Sequence, residues 1–205
     1  MWWLVLVLTI LFLWLLIIRR KDRPEKFVPS PELVDHQQRL YELLKVFDEV
    51  TREYGLTYWA SDGTLLGAVR HTSIIPWDDD IDVHAPTKTI QVLQDHIEDI
   101  RARGYDFVLA DHIWRFRRYQ DSSSRAAYID VFEVTEKADR FVYVDKFNSE
   151  RWPNSYFLIE EVFPLQTYEF GKMTIVGPSV AEPYLTRMYG DWRTPKIEGG
   201  HFDYI

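Results

Sequence analysis

Four aspartates, Asp78, Asp79, Asp80 and Asp82, lie within five positions of the sequence, directly after Ile75-Pro76-Trp77. Alternate side chains of an extended chain share a face, so we expect Asp78, Asp80 and Asp82 to point one way and Asp79 the other. Because Mg²⁺ takes oxygen ligands and often combines one or two carboxylates with substrate phosphates, this run is a candidate metal site. The alternative is a solvated acidic turn.

A further aspartate, Asp130, lies inside the apolar run of residues 127–132. Burying a lone ionised carboxylate among such neighbours costs several kcal/mol unless it is paired or bound to a metal. The alternative is an exposed position on an edge strand. Trp77 precedes the acidic run and Ile81 lies within it, which favours a strand edge over a loop tip and, together with Asp130, strengthens the case for metal binding.

Groups that could contact phosphate precede the acidic run. Gly63 lets the backbone approach a ligand closely, Thr64 supplies a hydroxyl, and the helical piece that follows would direct free N–H groups at an anion. Arg70 and His71 could hold negative charge on the same phosphate. Their structural alternatives are a surface salt bridge for Arg70 and a turn position for His71.

The hydrophobic pattern predicts that one α+β domain with a mixed sheet positions these residues. Its first helix starts at Pro31 behind the N-cap Ser30 and stops at Gly55. The other predicted elements, in chain order, are a strand at 56–61, a turn at 62–64, a helical piece at 65–70, a strand at 81–84, a helix at about 87–103, strands at 105–109, 114–119, 127–134 and 140–144, a β-rich stretch at 155–176 with Gly171 in a hairpin or bulge, and a helix near 180–189.

Composition narrows the possible functions. The 205 residues, 46% of them hydrophobic, suffice for one domain with a core. The net charge is −8, and residues 27–205 alone carry −11, which argues against a nucleic-acid partner. The absence of cysteine excludes disulfides, cysteine-ligated zinc and thiol catalysis.

Residues 2–18 form an uninterrupted apolar stretch, and a basic linker follows at 19–30. At about 1.5 Å per residue, this stretch reaches roughly 25 Å, near the lower limit for crossing a hydrocarbon core of about 30 Å. It lacks the basic start and small-residue cleavage site of a signal peptide, so we predict an uncleaved transmembrane anchor before a domain at 31–205. The positive-inside preference would keep that domain in the cytoplasm, and a buried core helix is the alternative interpretation of the stretch.

Two longer motifs, residues 63–71 (GTLLGAVRH) and 75–82 (IPWDDDID), closely resemble the LicD family, which includes bacterial phosphocholine transferases and animal fukutin and fukutin-related proteins. The similarity covers most of residues 35–195. It continues through four further segments: 128–132 (YIDVF), 162–165 (VFPL), 184–185 (YL) and 189–192 (YGDW).

The resemblance implies a nucleotidyltransferase-like mixed sheet flanked by helices. It implies that Asp80 and Asp82 form an Asp-x-Asp pair, with Asp130 as the third carboxylate. The implied catalytic residues are therefore Asp80, Asp82 and Asp130, and the implied metal ligands are these three and Asp78. The implied substrate and phosphate contacts are Gly63, Thr64, Arg70 and His71.

The family moves a phosphorylated alcohol, such as phosphocholine or ribitol phosphate, from a CDP-linked donor to a sugar hydroxyl. The resemblance thus implies Mg²⁺ or Mn²⁺ as cofactor and a glycoprotein, polysaccharide or glycolipid as acceptor. Asp130 or a carboxylate beside it would act as general base. Two alternatives stay open: an enzyme that transfers another group, such as a sugar phosphate, and a catalytically silent, membrane-tethered glycan-binding module of the same fold.

Location follows from the anchor and the resemblance. Animal members of the family work in the secretory pathway, which implies a single-pass protein of the Golgi or endoplasmic reticulum if the source is eukaryotic. A lumenal domain would oppose the positive-inside preference of residues 19–26, so the side of the membrane is left open. Lacking cysteine, the chain cannot build the cysteine-based zinc site that some members carry.

Overall fold

The structure, a computed structural model, describes residues 27–195 except 122, 124 and 125. The predicted anchor at 2–18 and most of the linker at 19–30 lie outside the described residues, so these boundaries stay predictions. Within the described range, no helix is both long enough and apolar enough to span a membrane.

The described residues form both helices and strands, with runs of consecutive strands at residues 105–143 and 166–177 as in an α+β domain. Their elements, in chain order, are α1 (Pro31–Glu53), β1 (Trp59–Ala60), α2 (Asp62–His71), β2 (Ile81–Pro86), α3 (Thr87–Asp95), α4 (Ile97–Ala102), β3 (Tyr105–Ala110), β4 (Ile113–Arg118), β5 (Tyr128–Lys137), β6 (Arg140–Tyr143), α5 (Lys146–Arg151), β7 (Phe157–Leu158), α6 (Ile159–Val162), β8 (Gln166–Phe170), β9 (Met173–Gly177) and α7 (Glu182–Tyr189).

One mixed sheet contains seven strands, and five of them follow the order β1-β2-β5-β4-β3. β2 and β5 run parallel, whereas β1 with β2, β5 with β4 and β4 with β3 are antiparallel. The later residues of β5 pair with β6, which in turn pairs with β7. The parallel pair places the beginnings of β2 and β5 side by side, and each strand carries an aspartate within its first three residues, Asp82 on β2 and Asp130 on β5.

Helix α1 supplies much of the core beneath this sheet. Ser30 caps it, its Oγ accepting a hydrogen bond from the backbone N of Leu33 at 3.2 Å. Leu40, Leu44 and Phe47 recur at helical spacing and are fully buried. Burial of each such side chain contributes about 1.5–3 kcal/mol, so the inner face of α1 ties the helix firmly to the sheet.

The α+β class and the mixed sheet are confirmed, and so is Gly171, which turns the β8–β9 hairpin at φ +66°. The single helix at 87–103 is wrong, because the chain breaks at His96 between α3 and α4. The turn at 62–64 is also wrong, because α2 already begins at Asp62. Helix α5 is not foreseen by the sequence pattern.

Candidate active site

The parallel strands β2 and β5 bring two of the predicted carboxylates together. Asp82 on β2 and Asp130 on β5 are register partners, so their side chains project from adjacent strands on the same face of the sheet. Their neighbours Ile81 and Ile129 are fully buried and point to the other face. The alternation of each strand therefore sends the apolar residues to the core and both aspartates to one site.

Asp78, Asp79 and Asp80 extend this site into the segment that leads to β2. One carboxylate oxygen from each lies within 4.8 Å of the other two. The expectation that Asp79 points away is wrong, because regular strand geometry begins only at Ile81 and residues 78–80 do not alternate. We call Asp78, Asp79, Asp80, Asp82 and Asp130 the carboxylate cluster.

Two side chains of α1 hold the backbone of the acidic segment. His36 Nε2 donates to the Asp79 carbonyl at 2.8 Å. Gln37 Nε2 donates to the Asp78 carbonyl at 2.7 Å and to the Ile75 carbonyl at 3.1 Å. Sequence reasoning missed both residues because they lie about forty positions away and belong to no motif, although a polar pair on a mostly apolar helix face is a usable signal.

Gly63 and Thr64 pack directly against the carboxylate cluster. A Cβ on Gly63 would lie only 2.8 Å from Asp78 Oδ2 and 3.7 Å from Asp82 Oδ2, so a glycine is needed for this approach. The buried Thr64 hydroxyl accepts a hydrogen bond from the Asp82 backbone N at 2.7 Å. These contacts fix the start of β2 against α2 and leave the phosphate-contacting role of both residues a prediction.

Burial and mutual repulsion make the cluster electrostatically unfavourable on its own. Burial, with repulsion from Asp79, raises the pKa of Asp78 to about 6. Burial also raises the pKa of Asp80 and of Asp82 well above the ordinary range; repulsion from Asp78 adds to the shift of Asp80, and repulsion from Asp80 adds to that of Asp82. The carboxylates resist being ionised together unless a cation joins them.

Asp130 has a cationic partner that the sequence did not reveal. Arg115 on β4 is its register partner, and Arg115 Nε donates to Asp130 Oδ1 at 3.0 Å. The same guanidinium lies 3.3 Å from Asp111 and 4.5 Å from the centre of the Tyr128 ring. Burial raises the pKa of Asp130 and Arg115 opposes that shift, so the pairing orients Asp130 and favours its ionised form.

Arg70 and His71 lie at the opposite end of α2 from Gly63. Arg70 Nη1 donates to the Trp192 carbonyl at 2.8 Å, and the His71 ring meets Trp77 edge-on at 5.8 Å. Burial lowers the pKa of His71, and the Arg70 charge adds to that shift. A helix rises about 1.5 Å per residue, so Arg70 lies roughly 10 Å along the axis from Gly63. The two residues border the site rather than join the cluster.

The donor set of the cluster fits the metal that the resemblance implies. All its side chains offer carboxylate oxygens, the ligands that Mg²⁺ and Mn²⁺ prefer. The oxygens of Asp78, Asp79 and Asp80 lie close together, and Asp82 and Asp130 are register partners on the two strands beside them. Burial and neighbouring carboxylates raise the pKa values of Asp78, Asp80 and Asp82. Asp78, Asp80, Asp82 and Asp130 are therefore suited to hold a hard divalent cation, with Asp79 as an additional donor.

Comparison with known proteins agrees with this geometry. A family model described as LicD/FKTN/FKRP, nucleotidyltransferase domain, matches residues 55–180. An uncharacterized protein of Rickettsia prowazekii (strain Madrid E) is 31% identical over 153 residues, which is 75% of this chain and 54% of that protein. The lipopolysaccharide cholinephosphotransferase LicD of Haemophilus influenzae is 48% identical over 42 residues, 20% of this chain and 16% of its own length.

A shorter match joins the chain to an animal protein. The ribitol 5-phosphate transferase FKRP of Homo sapiens is 59% identical over 29 residues, 14% of this chain and 6% of its own length. The chain spans about half the length of the rickettsial relatives that it matches over three quarters of its residues. Because the family model covers more than half of the chain and includes Gly63, Asp82 and Asp130, the chain belongs to the LicD family.

Proposed function

We propose that this chain is a metal-dependent phosphotransferase that moves a phosphorylated alcohol from a CDP-linked donor to a glycan hydroxyl. The observation that carries the proposal is the register pair of Asp82 and Asp130, which joins two strands beside the clustered oxygens of residues 78–80. Family membership supports the reaction class. So do the names of two matched relatives, a cholinephosphotransferase and a ribitol 5-phosphate transferase.

In this proposal the cluster is the binding place of Mg²⁺ or Mn²⁺. Asp78, Asp80, Asp82 and Asp130 hold the cation through their carboxylate oxygens. When bound, the ion supplies positive charge that offsets the donor diphosphate and the charge that develops on the transferred phosphoryl group. The cluster alone repels a polyanionic donor, so donor binding depends on the cation.

The residues around the cluster orient it and admit the donor. Gly63 leaves space beside Asp78 where any side chain would intrude. Thr64 fixes the start of β2 through the Asp82 backbone N, and Arg115 fixes Asp130 through its Oδ1. Arg70 and His71, at the end of α2, would steady the negative charge of the transferred phosphoryl group in this proposal.

The acceptor hydroxyl must lose a proton as its oxygen attacks phosphorus. We assign this proton to Asp130 or to a carboxylate beside it, because these are the oxygens nearest to a group held at the cluster. The acceptor is a glycoprotein, a polysaccharide or a glycolipid. The shared motifs fix the chemistry of phosphorus and leave the choice of alcohol and sugar to the surrounding surface.

A membrane location is part of the proposal and is supported by the apolar stretch at 2–18 and the basic residues after it. We propose a single-pass endomembrane protein if the source is eukaryotic. Protease treatment of sealed vesicles assigns the side of the domain: digestion from outside marks a cytoplasmic domain, and protection marks a lumenal one. Release of the chain by a carbonate wash without detergent would contradict the anchor.

The reaction is tested by incubating the purified full-length chain with Mg²⁺ or Mn²⁺ and a panel of CDP-alcohols that includes CDP-choline, CDP-ribitol and CDP-glycerol. We expect release of CMP from one donor, its loss in EDTA, and its loss in Asp82→Asn. Asp99→Asn, which removes an exposed carboxylate on α4 that pairs with Arg103, should release CMP at the parental rate. Absence of CMP from every donor, with or without glycan acceptor, would contradict the proposal and favour a silent glycan-binding module.

A further inference from the structure

Asp62 is a further aspartate beside the carboxylate cluster, and no motif singles it out. It is the first residue of α2 and directly precedes Gly63. Its φ of +44° lies in the left-handed region, which aspartate enters more readily than most residues but still at a cost in conformational energy. Its side chain is only 15% exposed. A strained and nearly buried charge at this point calls for a physical explanation.

Side chains from four other parts of the fold converge on Asp62. Tyr184 Oη on α7 donates to Asp62 Oδ1 at 2.9 Å, and Ser155 Oγ donates to the same oxygen at 3.1 Å. His84 Nε2 on β2 lies 3.4 Å from Asp62 Oδ2. Tyr143 Oη completes the group, 2.6 Å from Ser155 Oγ and 3.2 Å from His84 Nε2.

This polar group is sealed from water. His84 and Tyr184 are fully buried, and Ser155 is 2% exposed. The Tyr184 ring stacks on Phe157 at 3.7 Å between centroids. Asp62 therefore has almost no freedom to move, and its carboxylate stays next to the face of the sheet that carries Asp82.

Hydrogen bonding alone does not account for an aspartate here. An asparagine would also accept the hydrogen bonds of Tyr184 and Ser155, and it tolerates a positive φ. The aspartate adds negative charge 3.4 Å from His84 Nε2, and because Asp82 and His84 alternate onto the same face of β2, this charge lies on the face that carries Asp82. Repulsion from Asp62 adds to the raised pKa of Asp82. Such charge is unfavourable in the chain alone and favourable once a cation is bound nearby.

We propose that Asp62 is a positioning residue of the carboxylate cluster: its fixed, buried charge strengthens divalent-cation binding, and its hydrogen bonds hold Gly63 against Asp78. The inference rests on the proposed function, in which the cluster holds a divalent cation. Asp62 acts by fixing the position of the adjacent Gly63 and by adding negative charge near Asp82. It is distinct from the residues that would touch the cation.

The test measures Mn²⁺ affinity from the electron paramagnetic resonance signal of free Mn²⁺, with the full-length chain. Asp62→Asn removes the charge and keeps the shape, and Asp62→Gly removes the side chain and relieves the positive φ. Groups that act through a metal ligand typically change metal affinity by about 10–100-fold, so we expect both variants to raise the dissociation constant at least about tenfold.

Asp48→Asn is the matched control. Asp48 is another buried aspartate, 5% exposed, and it accepts a hydrogen bond from Tyr58 Oη at 2.8 Å, but it lies on α1 outside the cluster. We expect its Mn²⁺ dissociation constant to stay within about twofold of the parent's while its metal-free melting temperature falls. Asp62→Asn should instead raise the Mn²⁺ dissociation constant and keep a metal-free melting temperature close to the parent's.

An unchanged Mn²⁺ dissociation constant in both Asp62 variants would overturn the inference and leave the proposed function standing. Failure of the parent itself to bind Mn²⁺ would overturn both, and this outcome is visible before any variant is compared. The two failures are therefore distinguishable.

Discussion

In two acidic regions of the molecule, the pKa values of the carboxyl groups shift in opposite directions. At the end of α1 and on and just after α4, an arginine-paired surface is formed by Glu53, Asp99, Arg101 and Arg103, and Arg101 also reaches the buried Asp106 of β3. Arg103 lies 2.7 Å from Glu53 and 2.7 Å from Asp99, and Arg101 lies 2.9 Å from Asp106. A hydrogen bond from Arg103 lowers the pKa of Glu53, and hydrogen bonds from Tyr54 and Arg103 lower that of Asp99.

In the carboxylate cluster, by contrast, the pKa values of Asp78, Asp80 and Asp82 are raised by burial and by one another. Both regions carry carboxyl side chains, so the neighbouring residues decide in which direction the pKa of each carboxyl shifts. Acids with arginine partners contribute modestly to stability at the surface. Acids gathered without enough cations store repulsion that a bound metal ion would relieve.

Asp82→Asn should lower CMP release by roughly 10³-fold, the upper range for removing one fixed electrostatic group from an active site. The same substitution removes repulsion within the cluster, so the metal-free melting temperature should not fall. Steady-state kinetics and thermal melts measure the two effects. Parental activity in Asp82→Asn, or a loss equal to it in Asp99→Asn, would erase the contrast between the two regions.

Gly63→Ala and Gly55→Ala should have opposite effects. An alanine Cβ at position 63 would lie 2.8 Å from Asp78 Oδ2, so the carboxylate must shift and activity should fall about 10²-fold. At position 55, where α1 ends, a Cβ would meet nothing within 4 Å, but φ is +64°. There we expect a loss of about 1 kcal/mol of stability with full activity. Lower stability with full activity in Gly63→Ala would show that Gly63 is needed for the backbone conformation and not for the approach to Asp78.

The metal-free chain should be more stable near pH 5 than near pH 7.5. A carboxyl whose pKa is raised in the folded state binds more protons there than in the unfolded state, so stability falls as pH rises. The fall begins at about pH 4, where the unfolded carboxyls ionise, and continues through the pKa of about 6 for Asp78. It extends to higher pH for Asp80 and Asp82, whose pKa values are also raised. Urea titrations at several pH values measure this slope. Asp82→Asn should flatten it, and an equal slope in the variant would assign it to other groups.

Arg103→Gln should have the smallest effect. Arg103 pairs with Glu53 and Asp99 at the surface, where solvent screens the interaction. The melting temperature should fall by less than about 4 °C, and CMP release should be unchanged. A fall in activity would mean that the arginine-paired surface and the cluster are coupled.

Local pattern was enough to predict the parts of the site that lie close together in sequence. Gly63, Asp80 and Asp82 stand in one short stretch, and Asp130 stands out as a lone acid in an apolar strand. The strands themselves were predictable because runs of β-branched and aromatic residues favour the extended conformation of a strand. Their pairing was accessible only through the resemblance, since period-2 alternation carries no information about which strand is the neighbour.

What the sequence could not show depends on contacts between distant residues. Arg115 meets Asp130 only because β4 and β5 pair in that register. The sequence predicts a turn at Asp62, whereas the structure begins α2 there. The side chain of Asp62 accepts hydrogen bonds from Tyr184 and Ser155, which are distant in sequence and which a local pattern cannot reveal. The break at His96 falls where its ring stacks on Tyr54 at 4.3 Å, a contact that helical periodicity does not encode.

The most direct test of a cation-binding cluster is the melting temperature of the full-length chain at pH 7.5 with and without Mg²⁺, compared with Asp80→Asn. At a Mg²⁺ concentration 100 times its dissociation constant, binding adds about 2.7 kcal/mol, which raises the melting temperature of a chain of this size by about 5–10 °C. A cation-binding cluster predicts this rise in the parent and little or none in Asp80→Asn. No rise in the parent, or an equal rise in both, would contradict it.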